Sequence, residues 1–302
     1  MKSERPPITT LDDSDLVDFE EADSIIKDMH FIAKAYYCRG IAYYKKACYE
    51  LAIESLTEAI KLGPHTKPVW FGYSEPDARY FRGLAFAQQG YHDRAIADFD
   101  KVIQLEPNKA IAYNNRGGAY YLKEEYESAI KDFSIAIDLN PDDASTYNNR
   151  GVAYCLKKEY ESAIADFSRA IDLNPDYAIA YNNRGRAYGA KGEADGSMTR
   201  PSSRSAKLAV IRAIKDYNPA IGLNPELAPA YYNRGVAWLC LREWERAKSD
   251  LTIARNMGID IITLFRNDYE SVESFEERNG VQLPKDILTH LLPAGKQHPN
   301  RK

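Results

Sequence analysis

The chain has 302 residues, a net charge of −4 and a pI near 5.8, and its 28% of charged residues interleave both signs. That balance argues against a phosphate backbone as the main ligand, so no nucleic-acid partner is expected. No run approaches the roughly 18 apolar residues of a membrane span. The start is acidic and polar where a secretion signal would be basic and then apolar. Cys38, Cys48, Cys155 and Cys240 show no paired spacing. The expectation is a cytoplasmic protein with reduced cysteines and no membrane attachment.

Residues 1–16, with Pro6, Pro7 and three Asp, read as a disordered leader. Residues 17–32 read as an N-terminal capping helix: Val17, Ile25, Ile26, Met29 and Phe31 give a partial stripe, and Asp18, Glu20, Glu21 and Asp23 suit the positive end of the helix dipole. From residue 33 to 261 one unit recurs six times, over 33–66, 76–109, 110–143, 144–177, 178–227 and 228–261. The third and fourth copies follow one another without a gap and agree at 26 positions with a period of 34.

Each unit holds two amphipathic helices, A and B. In the third copy Tyr113, Arg116, Gly117 and Tyr120 share one helical face; Tyr126, Ala129, Ile130, Phe133, Ala136 and Ile137 share the next, and Asn140-Pro141 closes the unit. A lone hairpin could not bury such stripes, so neighbouring copies must cover one another. Nine extra residues near Trp70, Phe71 and Tyr73 separate the first two copies, forming an aromatic loop. The fifth copy carries an insertion near 196–211, whose Ser/Arg/Pro part is expected to be mobile while AKLAVIRAIKDY lengthens helix B. Pro219 falls in that helix and predicts a kink or local opening. Helices near 260–266, 270–278 and 284–292 are expected to cap the last copy within 262–302, before a frayed end.

The period, and Tyr147, Gly151, Tyr154, Ala163, Phe167, Ala170 and Pro175 in the fourth copy, resemble the tetratricopeptide repeat. The Asn-Arg-Gly run and the tail resemble bacterial arrays of that family. The resemblance implies an all-α fold, a right-handed superhelical solenoid of helix-turn-helix hairpins between capping helices. It counts as one elongated domain. The resemblance also implies an inner face lined mainly by A helices, on which an Asn two places before each Gly can hold a peptide backbone. The matching residues are Asn115, Asn149, Asn183 and Asn233, flanked by Asn114, Asn148 and Asn182; Tyr121, Arg186 and Tyr232 also fall on that face. The competing reading is that these amides bridge helices inside the array. The Lys and Asn of a chaperone-binding clamp are missing, since Tyr37 and Ile41 stand there, which disfavours a carboxylate-tail ligand.

Arg39, Arg82, Arg116, Arg150, Arg184 and Arg234 each precede the Gly of helix A, while helix B carries Asp98, Asp132, Asp166, Asp216 and Asp250 at one fixed place. Five recurring pairs read as Arg–Asp links between helices, with Ser55 leaving Arg39 without the acid. The five histidines are scattered, and no metal-ligand spacing, phosphate loop or nucleophile elbow occurs. The sequence therefore points to a non-catalytic scaffold without cofactor or metal that binds an extended peptide or helix of a protein partner. The alternative is a self-assembly module whose groove is filled by its own tail or by another copy.

Overall fold

A computed structural model describes residues 31–62, 74–194 and 204–292. Among these residues the protein is all α-helix. The predicted leader, all but the last two residues of the N-terminal cap, the aromatic loop around Trp70, the Ser/Arg/Pro stretch and the chain end lie outside them. Helices α1 (31–45) and α2 (Tyr49–Leu62) pair as a hairpin, as do α3 (Glu75–Gln88) and α4 (His92–Leu105); α5 (Ala110–Leu122) and α6 (Tyr126–Leu139) are the helices of the third repeat. Then follow α7 (Ala144–Leu156) with α8 (Tyr160–Leu173), α9 (Ala178–Ala194) with α10 (Arg204–Leu223), and α11 (Ala228–Cys240) with α12 (Trp244–Asn256). Three short helices end the described chain: α13 (Ile261–Tyr269), α14 (Val272–Asn279) and α15 (Lys285–Leu291).

The two helices of a hairpin approach closely because glycine faces a large apolar side chain. A Cβ on Gly151 would lie 2.7 Å from the Phe167 ring, and one on Gly83 would lie 2.9 Å from Phe99. Both rings are fully buried, so backbone of one helix is packed directly on aromatic surface of the other. The turn from A to B then uses a fixed device. Ala47, Gly90, Glu124, Lys158 and Arg242, each seven residues after the Gly of its helix, have φ between 57° and 77°. The next residue donates back to the helix, as in Glu159 N to Tyr154 O at 2.9 Å and Glu243 N to Trp238 O at 3.0 Å. This is a Schellman closure, which satisfies end carbonyls and reverses the chain in three residues. Between B and the next A, Asn174 and Asn224 accept from the backbone N–H two residues on, at 3.1 and 3.0 Å, across the intervening proline.

The chain divides into two compact units, residues 1–125 and 126–302, where a single elongated domain was expected. The division falls between α5 and α6, the two helices of the third repeat. In the first unit α2 to α5 pack in succession, and α3 also touches α5. In the second, α6 to α13 pack in succession, α9 touches both α7 and α11, and α15 closes on α12 and α13. The insertion lengthens the fifth hairpin at both sides of its turn: α9 has 17 residues and α10 has 20, against 13 and 14 in α7 and α8. Helix α10 runs on to Leu223 through Pro219.

Candidate functional site

The arginine before each glycine is a clamp. Arg82, Arg150, Arg184 and Arg234 each bond the Asp of their own hairpin through Nε and Nη2, at 2.7–2.8 Å in all eight contacts. The acids are buried, and the hydrogen bonds hold the Arg150, Arg184 and Arg234 guanidinium groups above their ordinary pKa despite partial burial. The remaining Nη1 crosses to the preceding hairpin: Arg82 to Thr57, Arg150 to Ser134, Arg184 to Ser168 and Arg234 to Asn218, at 2.9–3.1 Å. Arg116 reaches Asp100 at 2.6 Å in the same way. Arg39, lacking the acid, donates to Ser55 at 3.0 Å. One side chain thus joins three helices. The third partner was missed in the sequence, although a short polar residue recurs sixteen places before Arg116, Arg150, Arg184 and Arg234.

The asparagines also link hairpins. Asn183 donates to Asn148 at 3.0 Å, Asn233 donates to Asn182 at 2.9 Å, and Asn182 donates in turn to Asn183 at 3.4 Å. In the first unit Asn115 donates to the Tyr80 hydroxyl at 3.1 Å and to Ile111 O at 2.8 Å. The rule is that the residue two places before one Gly bonds the residue three places before the previous Gly. Asn148 and Asn182 are each 6% exposed, which corrects their placement on the ligand-facing surface: they are struts between A helices. Asn114, Asn115, Asn149, Asn183 and Asn233 are half-buried, Tyr121 is half-buried on α5, and Arg186 is exposed on α9.

Tyr232 departs most from expectation. It is 3% exposed and its hydroxyl donates to Asp268 of α13 at 2.8 Å, so it faces the cap instead of a ligand. Its successors on the same face, Val236 and Leu239, are buried in one cluster with Ile261 and Phe265 of α13. Asp268 takes the place that the next hairpin's amide takes elsewhere. Burial and the Asp268 carboxylate push the Tyr232 phenol well above its ordinary pKa. The same positions in the first unit are Tyr37, Ile41 and Tyr44 on α1, and Tyr80 and Leu84 on α3; all are half-buried. Phe81 gathers them, with ring centroids 6.5, 5.9 and 5.4 Å from Tyr37, Tyr44 and Tyr80. At the rim, Lys109 bonds Asp77 at 2.9 Å and lies 5.5 Å from the Tyr80 ring centroid. Burial opposes the Asp77 charge, yet its bonds with Ser74 and Lys109 hold the carboxyl below the usual range.

Family models describe the repeats independently. A TPR repeat model matches residues 83–123, 117–158 and 153–192, and a tetratricopeptide repeat model matches 33–66. The chain is a tetratricopeptide repeat protein. Solved structures of similar fold include the Pseudomonas aeruginosa protein pilF, at 16% identity and TM-score 0.58, over 84% of this chain and 99% of that one. Another is the C-terminal part of a TPR repeat-containing protein from Cytophaga hutchinsonii, at 20% identity and TM-score 0.56, over 80% and 91%. A third is MamA from residue 41 to its end, from Desulfovibrio magneticus RS-1, at 22% identity and TM-score 0.51, over 65% and 96%. At these identities the likeness is one of fold. No curated protein matches this chain in sequence.

A tetratricopeptide repeat protein of this kind is an interaction scaffold, and its family is characteristically non-catalytic. Among the described residues of this one, no cluster of His, Cys, Asp and Glu has the makings of a metal site, and no helix is long and apolar enough to cross a membrane. What the A-helix face offers is apolar aromatic area with a few polar groups at its edge.

Proposed function

We propose that this scaffold binds an extended peptide or an amphipathic helix of a protein partner on the A-helix face. The principal contact is the aromatic patch of the first unit. The observation that carries this is the pair of fates met by equivalent positions. Tyr232, Val236 and Leu239 are covered by the chain's own helix α13, whereas Tyr37, Ile41, Tyr44, Tyr80 and Leu84 are half-exposed. The chain itself therefore supplies an example of what suits this face: a helix with an apolar stripe and one carboxylate reaching a tyrosine hydroxyl. Tyrosines give such a ligand large apolar area with few rotors to immobilise, and hydroxyls to orient it. In the second unit Asn149, Asn183 and Arg186 extend the reading to a peptide backbone and an acidic side chain. The Asn183 amide, joined to Asn148 by one N–H, has a second with which to meet such a ligand. A cytoplasmic setting belongs to the same proposal, on four cysteines that form no disulfide among the described residues.

Capture from the source cell tests it, comparing the intact chain with Ile41→Glu/Leu84→Glu, two changes at half-exposed positions away from the clamp. A protein retained by the first and lost by the second, at unchanged helicity and melting temperature, supports the reading. Equal retention overturns it. The self-assembly alternative rests on the same α13 contact, and predicts that the retained protein is another copy of this chain.

A further inference from the structure

The fifth hairpin departs from the other repeats at three places. The residue one place after the Gly is Ile41, Leu84, Gly118, Val152 or Val236 in the other A helices, and Arg186 in α9. Four places after the Gly stand Tyr44, Ala87, Tyr121, Cys155 or Leu239, but Gly189 in α9. The large apolar residue at one fixed place of the B helices is Leu56, Phe99, Phe133, Phe167 or Leu251, but Tyr217 in α10. The three departures lie side by side. A Cβ on Gly185, the neighbour of Arg186, would lie 2.6 Å from the Tyr217 ring. Gly189 stands one turn beyond Arg186 on the same face, and a Cβ added there would meet nothing within 4 Å, so open space adjoins the arginine.

Two of these groups lack partners. Arg186 is exposed and makes no hydrogen bond, ion pair or ring contact among the described residues. Groups that could neutralise it are committed elsewhere. Asp216 is held by both Arg184 bonds, and Asp268 accepts from the Tyr232 hydroxyl. The Cys155 thiol on α7, within reach of the Arg186 charge, stays neutral because burial pushes it up to about 11. Tyr217 is 4% exposed, and its hydroxyl likewise makes no hydrogen bond among the described residues. A hydroxyl withdrawn from water without a partner is destabilising, a cost that the phenylalanine of α4, α6 and α8 avoids. Arg186 of α9 and Asp268 of α13 both act on the Tyr217 phenol through their charges, which places the hydroxyl end of the ring toward the A-helix face.

We infer that Arg186, the Tyr217 hydroxyl and the space over Gly189 receive one carboxylate side chain, an Asp or Glu, of the segment bound on this face. The inference rests on the peptide-binding reading above, and it fixes where along the array an acidic residue of that segment sits. A carboxylate suits these groups because its two oxygens accept a guanidinium N–H and a phenol O–H together. A phosphoryl dianion does not, since one cation cannot balance its charge and the nearby Asp268 carboxylate adds repulsion. The next hairpin shows the same chemistry within the chain, where the Tyr232 hydroxyl holds the Asp268 carboxylate at 2.8 Å.

Selection from a random peptide library on the full chain, and separately on Arg186→Glu, tests this. The expected result is an Asp or Glu at one fixed place in the peptides held by the unaltered chain, replaced by Lys or Arg in those held by Arg186→Glu. Calorimetry then compares a selected acidic peptide with its amide counterpart on Tyr217→Phe, a variant carrying the ring that α4, α6 and α8 use. Tyr217→Phe is expected to weaken the acidic peptide about tenfold and to leave the amide peptide within about twofold. Equal effects on the two peptides would remove the hydroxyl from the site and overturn the proposal. Peptides with no fixed acidic place, or with the same acid on both chains, would overturn it while leaving the peptide-binding reading intact; peptides held by neither chain would overturn both. Competition by inorganic phosphate beyond that of chloride at equal ionic strength would assign the site to a phosphoryl group and overturn the carboxylate.

Discussion

Arg184 on α9 and Asp216 on α10 meet through two hydrogen bonds of 2.8 and 2.7 Å although 32 residues separate them, the same geometry that Arg150 and Asp166 reach over 16. The insertion has therefore entered the turn without disturbing the clamp it spans. Asp216 is 6% exposed, so removing its carboxylate strands a largely buried guanidinium. Asp216→Ala is expected to cost about 3 kcal/mol, the low end for a broken buried pair because the Arg184 side chain keeps 20% of its exposure. Asp216→Ala/Arg184→Leu should recover part of that loss. Urea titration followed by far-UV circular dichroism reads both, and equal midpoints for Asp216→Ala and the unaltered chain would show that the pair contributes nothing.

Glycine and left-handed positions give opposite signs in the same hairpins. Gly118 on α5 has nothing within 4 Å of an added Cβ, so Gly118→Ala is expected to stabilise by about 1 kcal/mol through helix propensity. Gly151→Ala should destabilise by about 1–3 kcal/mol, since its Cβ would meet Phe167. Lys158, at φ 63°, holds a conformation that suits glycine, and Lys158→Gly should add roughly 0.5–1 kcal/mol. Thermal melts of the three variants decide the matter; a Gly151→Ala protein as stable as the parent would refute the close-approach argument.

These contrasts mark what was legible in the sequence. The period, the two helices of each unit and the Arg–Asp pairs follow from spacing, because a helical repeat puts equal positions in equal surroundings. The left-handed residue escaped notice because only Gly90 of the five advertises it; Ala47, Glu124, Lys158 and Arg242 pay local strain to keep a turn that packing demands. The amides were misplaced for a different reason. Helical position says which face Asn148 and Asn182 occupy, but the next A helix, 35 and 51 residues on, brings the donor that turns each into a strut. Tyr80, Asn148, Asn182 and Tyr232, all hydrogen-bonding residues three places before the Gly, were the available signal. Tyr232 was misread because its partner Asp268 lies outside the repeat pattern.

Alkaline pH should loosen the aromatic patch. Burial, aided by Asp77, pushes the Tyr37 phenol up from 10.0 to about 12. An acid whose folded pKa is raised contributes stability that is fully present below its unfolded value and is lost as pH rises through the interval to the folded one. Here the interval runs from about 10 to 12, because the unfolded chain ionises Tyr37 first. Tyr37→Phe is therefore expected to lose less stability between pH 9.5 and 12 than the parent does. Denaturant midpoints at several pH values supply the comparison, and parallel curves for the two proteins would assign the alkaline loss to other tyrosines.

Pro219 supplies the last test, because α10 passes through it instead of ending there. A proline in a helix interior lacks the N–H that would bond the carbonyl four residues earlier, here Lys215, and its ring crowds that carbonyl. The helix persists because Ala213, Ile214 and Tyr217 are buried in one cluster, Asp216 is held by Arg184 and Ala220 beyond the proline is fully buried, so packing on both sides of the defect outweighs it. Pro219→Ala restores the donor and is expected to stabilise by up to about 3 kcal/mol. Hydrogen exchange should then slow selectively across 215–223. If the amides around Lys215 already exchange as slowly in the parent as in the variant, the proline imposes no local opening and the fifth hairpin is as firm as its neighbours.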